Sequence, residues 1–210
     1  MRLYEHAASG NCLKVRIVLR QLGLAYESLT VDLFRGETRT PAHFARNPDG
    51  RIPVLETDAG ATIAESGAIL LFLAEGTPLL PADRLGRARV HQWMFFEQNR
   101  IEADLSVARF WRLAGRDAVL PEAFANRVER ARDALAALDR GLADGRPFMA
   151  GDAYTVADVA LYGYVHCGDD AGVDVRAHRH VAGWLERVEA TPGFVNDLEP
   201  LPAHAAERPL

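Results

Sequence analysis

The stretch Gly76-Thr77-Pro78-Leu79-Leu80-Pro81-Ala82-Asp83 divides this chain more sharply than any other. Two prolines, a glycine and an acid interrupt every periodic pattern there. The good strand signals all lie before it, and none of comparable quality follows. Such a chain is expected to fold as a small α/β unit over residues 1–77, a linker at 78–83 and an all-helical unit over 84–210. Its 210 residues are enough to bury two cores.

Before the break, residues 2–6 read as a strand. Leu13, Val15, Ile17, Val18, Leu19 and Leu22 then form a broad helical stripe that Gly23 stops. Residues 25–33 read as a second strand and 35–46 as a weak helix around Phe44. Residues 54–56 and 62–64 pair as a hairpin around Asp58-Ala59-Gly60, and 65–75 form a helix. The order β-α-β-α-β-β-α fits a unit of about 75 residues. Pro53 stands at the head of a strand-like run, although proline cannot donate to a sheet ladder. X–Pro bonds are also the common place for a cis peptide in a tight turn. Glu65-Ser66 follows nine residues after Glu56, a carboxylate and a hydroxyl opening an apolar helix. That combination points to a site for a small polar molecule.

After the break, Asp83 is placed to cap a long helix over 84–113. Val90, Met94, Ile101, Leu105 and Ala108 form its buried stripe, with Glu97 and Gln98 where an apolar residue is missing. A second helix over 121–142 buries Val128, Ala131, Leu135 and Leu138. Thr155 and Asp158 are close to a capping box before another apolar run, which carries Cys167 into the core. A shorter helix over 180–190 and a proline-rich tail close the chain.

Composition narrows the function. An apolar fraction of 49% and a charged fraction of 25% are those of a soluble globular protein. A net charge of −5 supplies no basic field for nucleic acid or an anionic membrane. The apolar runs fall short of the roughly 18 residues of a membrane span. The first residues lack the apolar region of a signal peptide, and two cysteines make no disulfide framework. A cytoplasmic location is expected, and no metal is implied.

Ile52-Pro53-Val54-Leu55, Glu65-Ser66 before its helix, and Gly151-Asp152 ahead of Thr155/Asp158, in this order, resemble the cytosolic glutathione transferases over nearly the whole chain. The resemblance implies a thioredoxin-like first domain, an all-helical second domain and glutathione as co-substrate. It makes Pro53 the cis-proline of the glutathione site, with the Ile52 peptide group pairing with the cysteinyl part. Glu65 would take the ligand's ammonium, and Ser66 with its helix N-terminus the α-carboxylate. Arg51 and His43 are candidates for the glycyl carboxylate. Asp104, with Glu97 next, is the candidate to reach the ammonium across a two-fold homodimer.

The chemistry needs the glutathione thiolate, so a donor should stand between the first strand and first helix. Ser9, Asn11 and Cys12 are the candidates. Ser9 matches delta-, theta- and zeta-like classes, whereas Asn11 in Ser9-Gly10-Asn11-Cys12-Leu13-Lys14-Val15 resembles the nu class. Cys12 would form a mixed disulfide, as in beta and omega classes. Phe34, Asn99, Arg100, Phe110 and Trp111 are candidates for an electrophile pocket between the domains. The expected function is transfer of glutathione to a small hydrophobic electrophile. The alternatives are a glutathione-dependent disulfide reductase or peroxidase, and a non-catalytic binding module.

Overall fold

The computed structural model describes residues 1–207. They divide into two compact units, Met1–Glu75 with the segment from Pro192 onward, and Gly76–Thr191.

The first unit runs β1 (Arg2–Glu5), α1 (Gly10–Gln21), β2 (Glu27–Thr30), α2 (Pro41–Phe44), β3 (Val54–Glu56), β4 (Thr62–Ala64) and α3 (Ser66–Ala74). The sheet order is β2-β1-β3-β4. β1 lies parallel to β2, which requires the α1 crossover, and antiparallel to β3, with Leu3 opposite both Ser28 and Leu55. Tyr4, Val54 and Val31 cluster on one face with Leu29 and Ile52. The two-residue period turns the fully buried Leu3 and Leu55 to the other face. The α1 and α3 helices pack together, and α3 also packs on β3 and β4.

The second strand is shorter than the sequence pattern of 25–33. Val31 N still bonds Glu5 O, but Asp32 Oδ1 then accepts from Phe34 N at 2.9 Å and Arg35 N at 3.1 Å. That local cap turns the chain before Leu33 can extend the ladder.

The chain end departs from the expected helical unit over 84–210. Asp197 accepts from Arg16 Nε at 2.7 Å, Glu199 N donates to Ala7 O at 3.2 Å, and His204 Nε2 meets Asp32 Oδ2 at 2.9 Å. A carboxylate, a backbone amide and an imidazole thus fasten this segment to the first unit, and Ala205 is buried.

In the second unit, α4 (Arg84–Phe96) continues through a π-helical stretch (Glu97–Ser106) into α5 (Val107–Leu113). Asp83 Oδ1 caps α4 by accepting from Gly86 N at 2.9 Å. The expected stripe of Val90, Met94, Ile101, Leu105 and Ala108 is buried throughout. The wider turn in its middle departs from the regular helix expected over 84–113. Next come α6 (Pro121–Gly141), α7 (Val156–Val165) and α8 (Arg179–Glu189). The α7 helix is buried on every side, so it is apolar all round, and the Thr155/Asp158 capping box starts it. No helix among the described residues is long and apolar enough to cross a membrane.

Candidate functional site

Two helix N-termini meet in the first unit. Ser9 is the N-cap of α1, in extended backbone, and its Oγ accepts from Cys12 N at 3.3 Å. Asn11 sits in the first turn, where its Oδ1 accepts from Lys14 Nζ at 2.7 Å. At the start of α3, Ser66 Oγ donates to that same Oδ1 at 3.2 Å. Ser66 is buried, Ser9 and Asn11 are half-buried, and no acid stands in the first turn of either helix. The α1 N-terminus therefore offers partial positive charge suited to an anion, and the α3 N-terminus does so behind the exposed carboxylate of its N-cap residue, Glu65.

Glu65 precedes α3 with φ of 67°, in the left-handed region that residues with a Cβ seldom occupy. Such strain concentrates at ligand sites, where surrounding structure holds it in place. The Glu65 side chain is exposed and Glu65 O accepts from Ile69 N at 3.0 Å, so the strained residue also starts the helix.

The Ile52–Pro53 peptide is cis. The carbonyl just before it, Arg51 O, accepts from His43 Nε2 and Asn47 Nδ2, each at 3.0 Å. His43 is 2% exposed, so its imidazole holds this loop from inside rather than lying open to a carboxylate. That corrects the expectation that His43 binds the ligand directly. The Arg51 guanidinium is on the surface, paired with Asp49 at 2.6 Å.

Cys12 lies against the core with no exposed surface, and burial pushes its thiol up to about 12. A hydrogen bond from Ser9 and the neighbouring Arg16 only partly oppose this. A mixed disulfide needs an accessible thiolate, so the expectation of Cys12 as a nucleophile is corrected: the side chain is packing. Tyr4 is also accounted for. Its hydroxyl donates to Glu56 Oε2 at 2.8 Å, and the Arg46 guanidinium covers its ring at 4.3 Å.

In the second unit, Asp104 is 5% exposed and accepts from Arg130 Nη2 at 2.8 Å, Arg130 Nε at 3.0 Å and Arg127 Nη1 at 3.2 Å. Its Oδ1 is held inside its own chain by Arg127 and Arg130 of α6. Glu97 is buried and accepts from Gln98 Nε2 at 2.9 Å. Asn99 is exposed, and Arg100 lies over the Phe96 ring at 5.9 Å. Arg116 covers Phe110 at 4.9 Å, and Arg127 covers Trp111 at 5.2 Å. Phe34, in the first unit, packs edge-on against His6 and His204. No group of three or more His, Cys, Asp or Glu suited to a metal ion occurs among the described residues.

Asn47 and Lys14 were missed at the level of sequence. The signal for Lys14 is a lysine inside an apolar helical stripe, three residues from Asn11; Asn47 has only its place in a turn-rich segment.

A small mixed sheet with a cis-proline loop, followed in the chain by a helical unit, is a thioredoxin-like architecture with an all-helical second part. Residues 8–75 match the glutathione S-transferase N-terminal domain model and residues 121–203 the C-terminal domain model. Glutathione S-transferase 3 of Zea mays is 31% identical over 96% of this chain and 95% of its own length. Maleylacetoacetate isomerase of Pseudomonas aeruginosa is 46% identical over 94 residues, 42% of this chain and 44% of that protein. The crystal structure of a glutathione S-transferase from Pseudomonas fluorescens superposes with a TM-score of 0.91 at 39% identity, covering 94% of this chain and 98% of that one. A second Pseudomonas fluorescens family member, crystallised with two glutathione bound, gives a TM-score of 0.80 at 28% identity over 94% and 92% of the two chains. The chain belongs to the glutathione S-transferase family.

Proposed function

We propose that the first unit binds glutathione and that the protein activates its thiolate for attack on a small hydrophobic electrophile, the whole glutathionyl group being transferred. The carrying observation is the Ser66–Asn11 hydrogen bond, which joins the two helix N-termini into one polar site. Glutathione is an extended tripeptide with an anionic α-carboxylate at one end of its γ-glutamyl part and a thiol in its middle. In this reading Ser66 and the α3 N-terminus take the α-carboxylate, Glu65 the ammonium, the Ile52 peptide group the cysteinyl backbone and Arg51 the glycyl carboxylate. The sulfur then lies at the start of α1, facing Ser9 and Asn11.

Reaction requires the thiolate at neutral pH. Lowering a thiol from about 8.5 by two units takes roughly 2.7 kcal/mol of preference for the charged form. Hydrogen bonds to a charged group contribute about 1.5–3 kcal/mol each, so one or two donors with a helix N-terminus suffice. The buried thiol of Cys12 offers no cysteine-based route, so any disulfide reduction would run through bound glutathione. We also infer a two-fold dimer, since Phe72, Leu85 and Phe95 expose half or more of their surface.

Calorimetric titration with glutathione, beside conjugation of 1-chloro-2,4-dinitrobenzene, tests the reading. Ser66→Ala should weaken glutathione binding about tenfold or more, the worth of one hydrogen bond to a charged group. Absence of glutathione binding to the unaltered protein at millimolar ligand would leave only a non-catalytic role.

A further inference from the structure

Lys14 has no part in the chemistry described so far, yet it is fully buried in the first turns of α1 with Nζ 2.7 Å from Asn11 Oδ1. An ammonium donates hydrogen bonds and cannot accept them. The atom facing it is therefore the amide oxygen, which settles an orientation that geometry alone leaves ambiguous. Ser66 Oγ donates to the same oxygen. With Lys14 Nζ on Oδ1, the other edge of the carboxamide is its NH2, even when the single Ser66 hydroxyl hydrogen turns from that oxygen to the ligand's carboxylate. A cation on the amide oxygen also polarises the group and strengthens that donor.

We propose that Lys14 is a positioning residue that holds Asn11 with its NH2 turned toward the glutathione sulfur. A flipped carboxamide would instead present oxygen lone pairs to a thiolate and raise the thiol pKa. Lys14 and Asn11 thus act as one unit, the buried cation setting the orientation and the amide making the contact. The inference rests on the reading that glutathione binds with its sulfur at the start of α1.

Lys14→Met keeps the volume of the stem and removes Nζ. The pKa of the bound thiol is read from thiolate absorbance against pH, and glutathione affinity from calorimetry in the same buffers. Lys14→Met should raise the bound thiol's pKa by about one unit, a tenfold loss of thiolate below the pKa or about 1.4 kcal/mol, with a much smaller change in Kd. Asn11→Ala should give the same shift, and the double variant no more than either. An unmoved pKa in folded Lys14→Met, or shifts that add in the double variant, overturns the proposal. Nitrogen-15 NMR of the unaltered protein gives an independent check, because the Asn11 side-chain NH2 resonance must move when glutathione is added. A resonance that stays in place overturns the proposal whatever the variants do. If the unaltered protein lowers the thiol pKa while Asn11→Ala leaves it untouched, the role of Lys14 fails and the glutathione reading stands. If the unaltered protein binds no glutathione, both fail.

Discussion

Asp158 sets the strongest stability prediction. Its Oδ1 accepts from Met149 N and Trp184 Nε1, each at 2.8 Å, and its Oδ2 from Thr155 N at 3.0 Å and Thr155 Oγ1 at 3.3 Å. Asp158, Met149 and Trp184 are wholly buried and Thr155 nearly so. Burial pushes the Asp158 carboxyl above its usual range, and the four hydrogen bonds pull against that. Asp158→Ala strands the amides of Met149 and Thr155 and the indole N–H of Trp184. Each buried unsatisfied donor costs about 1–3 kcal/mol. Removing the carboxylate returns part of its own desolvation cost, so a net loss of about 3–5 kcal/mol is expected from the three stranded donors together. At about 2–4 °C per kcal/mol for a chain of this size, Tm should fall by about 10 °C. Asp158→Asn keeps one oxygen and satisfies one pair of donors, so it should lose about half as much. Unfolding is followed by circular dichroism and tryptophan fluorescence at fixed protein concentration. A Tm for Asp158→Ala within about 2 °C of the unaltered protein would refute the assignment of these donors to one carboxylate.

Two further outcomes concern Cys12 and Asp104. Cys12, with its thiol pushed up to about 12 and no exposed surface, should alkylate with iodoacetamide at pH 8 about a thousandfold or more slower than an ordinary cysteine, and Cys12→Ala should retain glutathione conjugation. Labelling at the rate of a free thiol, read by mass spectrometry of the peptide, would reverse that conclusion. Asp104→Asn should lower Tm by weakening the hold of this buried side chain on Arg127 and Arg130 of α6. It should leave glutathione affinity within about twofold, as expected of a change outside the site; a larger loss in calorimetry would return Asp104 to the ligand.

What the sequence makes legible here is local. Asp83 and Gly86, or Thr155 and Asp158, are three residues apart, and their caps follow from that spacing alone. The buried stripes of α4 and α6 follow from periodicity, and Pro53 and Ser66 from a residue type out of keeping with its surroundings. The unforeseen features are made at long range. Asp104 is a polar residue on one helix until Arg127 and Arg130 reach it from another, 23 and 26 residues on. The π-helical turns are silent in the pattern, because apolar spacings of four, seven, four and three suit a regular helix equally well. His43, Asn47 and Arg51 read as three separate polar residues, and only the closed loop shows two of them holding the carbonyl of the third.

The same distinction bears on how the start of α1 is held. Ala7 O accepts from Arg16 Nη2 at 3.3 Å and from Glu199 N at 3.2 Å. Arg16 in turn binds Glu5 Oε2 at 2.6 Å and Asp197 Oδ1 at 2.7 Å, while Ser28 Oγ donates to the other Glu5 oxygen. A buried arginine–carboxylate cluster is weak evidence for net stability, because the charges lose their hydration. Its value here is geometric. The backbone carbonyl two residues before Ser9 is gripped from α1 and from the far end of the chain, while Ala8 N and Ser9 N are tied back to His6. A donor that stabilises developing charge contributes most when it need not reorganise as the charge appears. In the proposed site, the hydroxyl of Ser9 and the amide of Asn11 would meet that condition through Arg16, Asp197 and Lys14. The chemistry proposed for the start of α1 therefore depends on a segment, from Pro192 onward, that sequence order alone would assign to the helical unit.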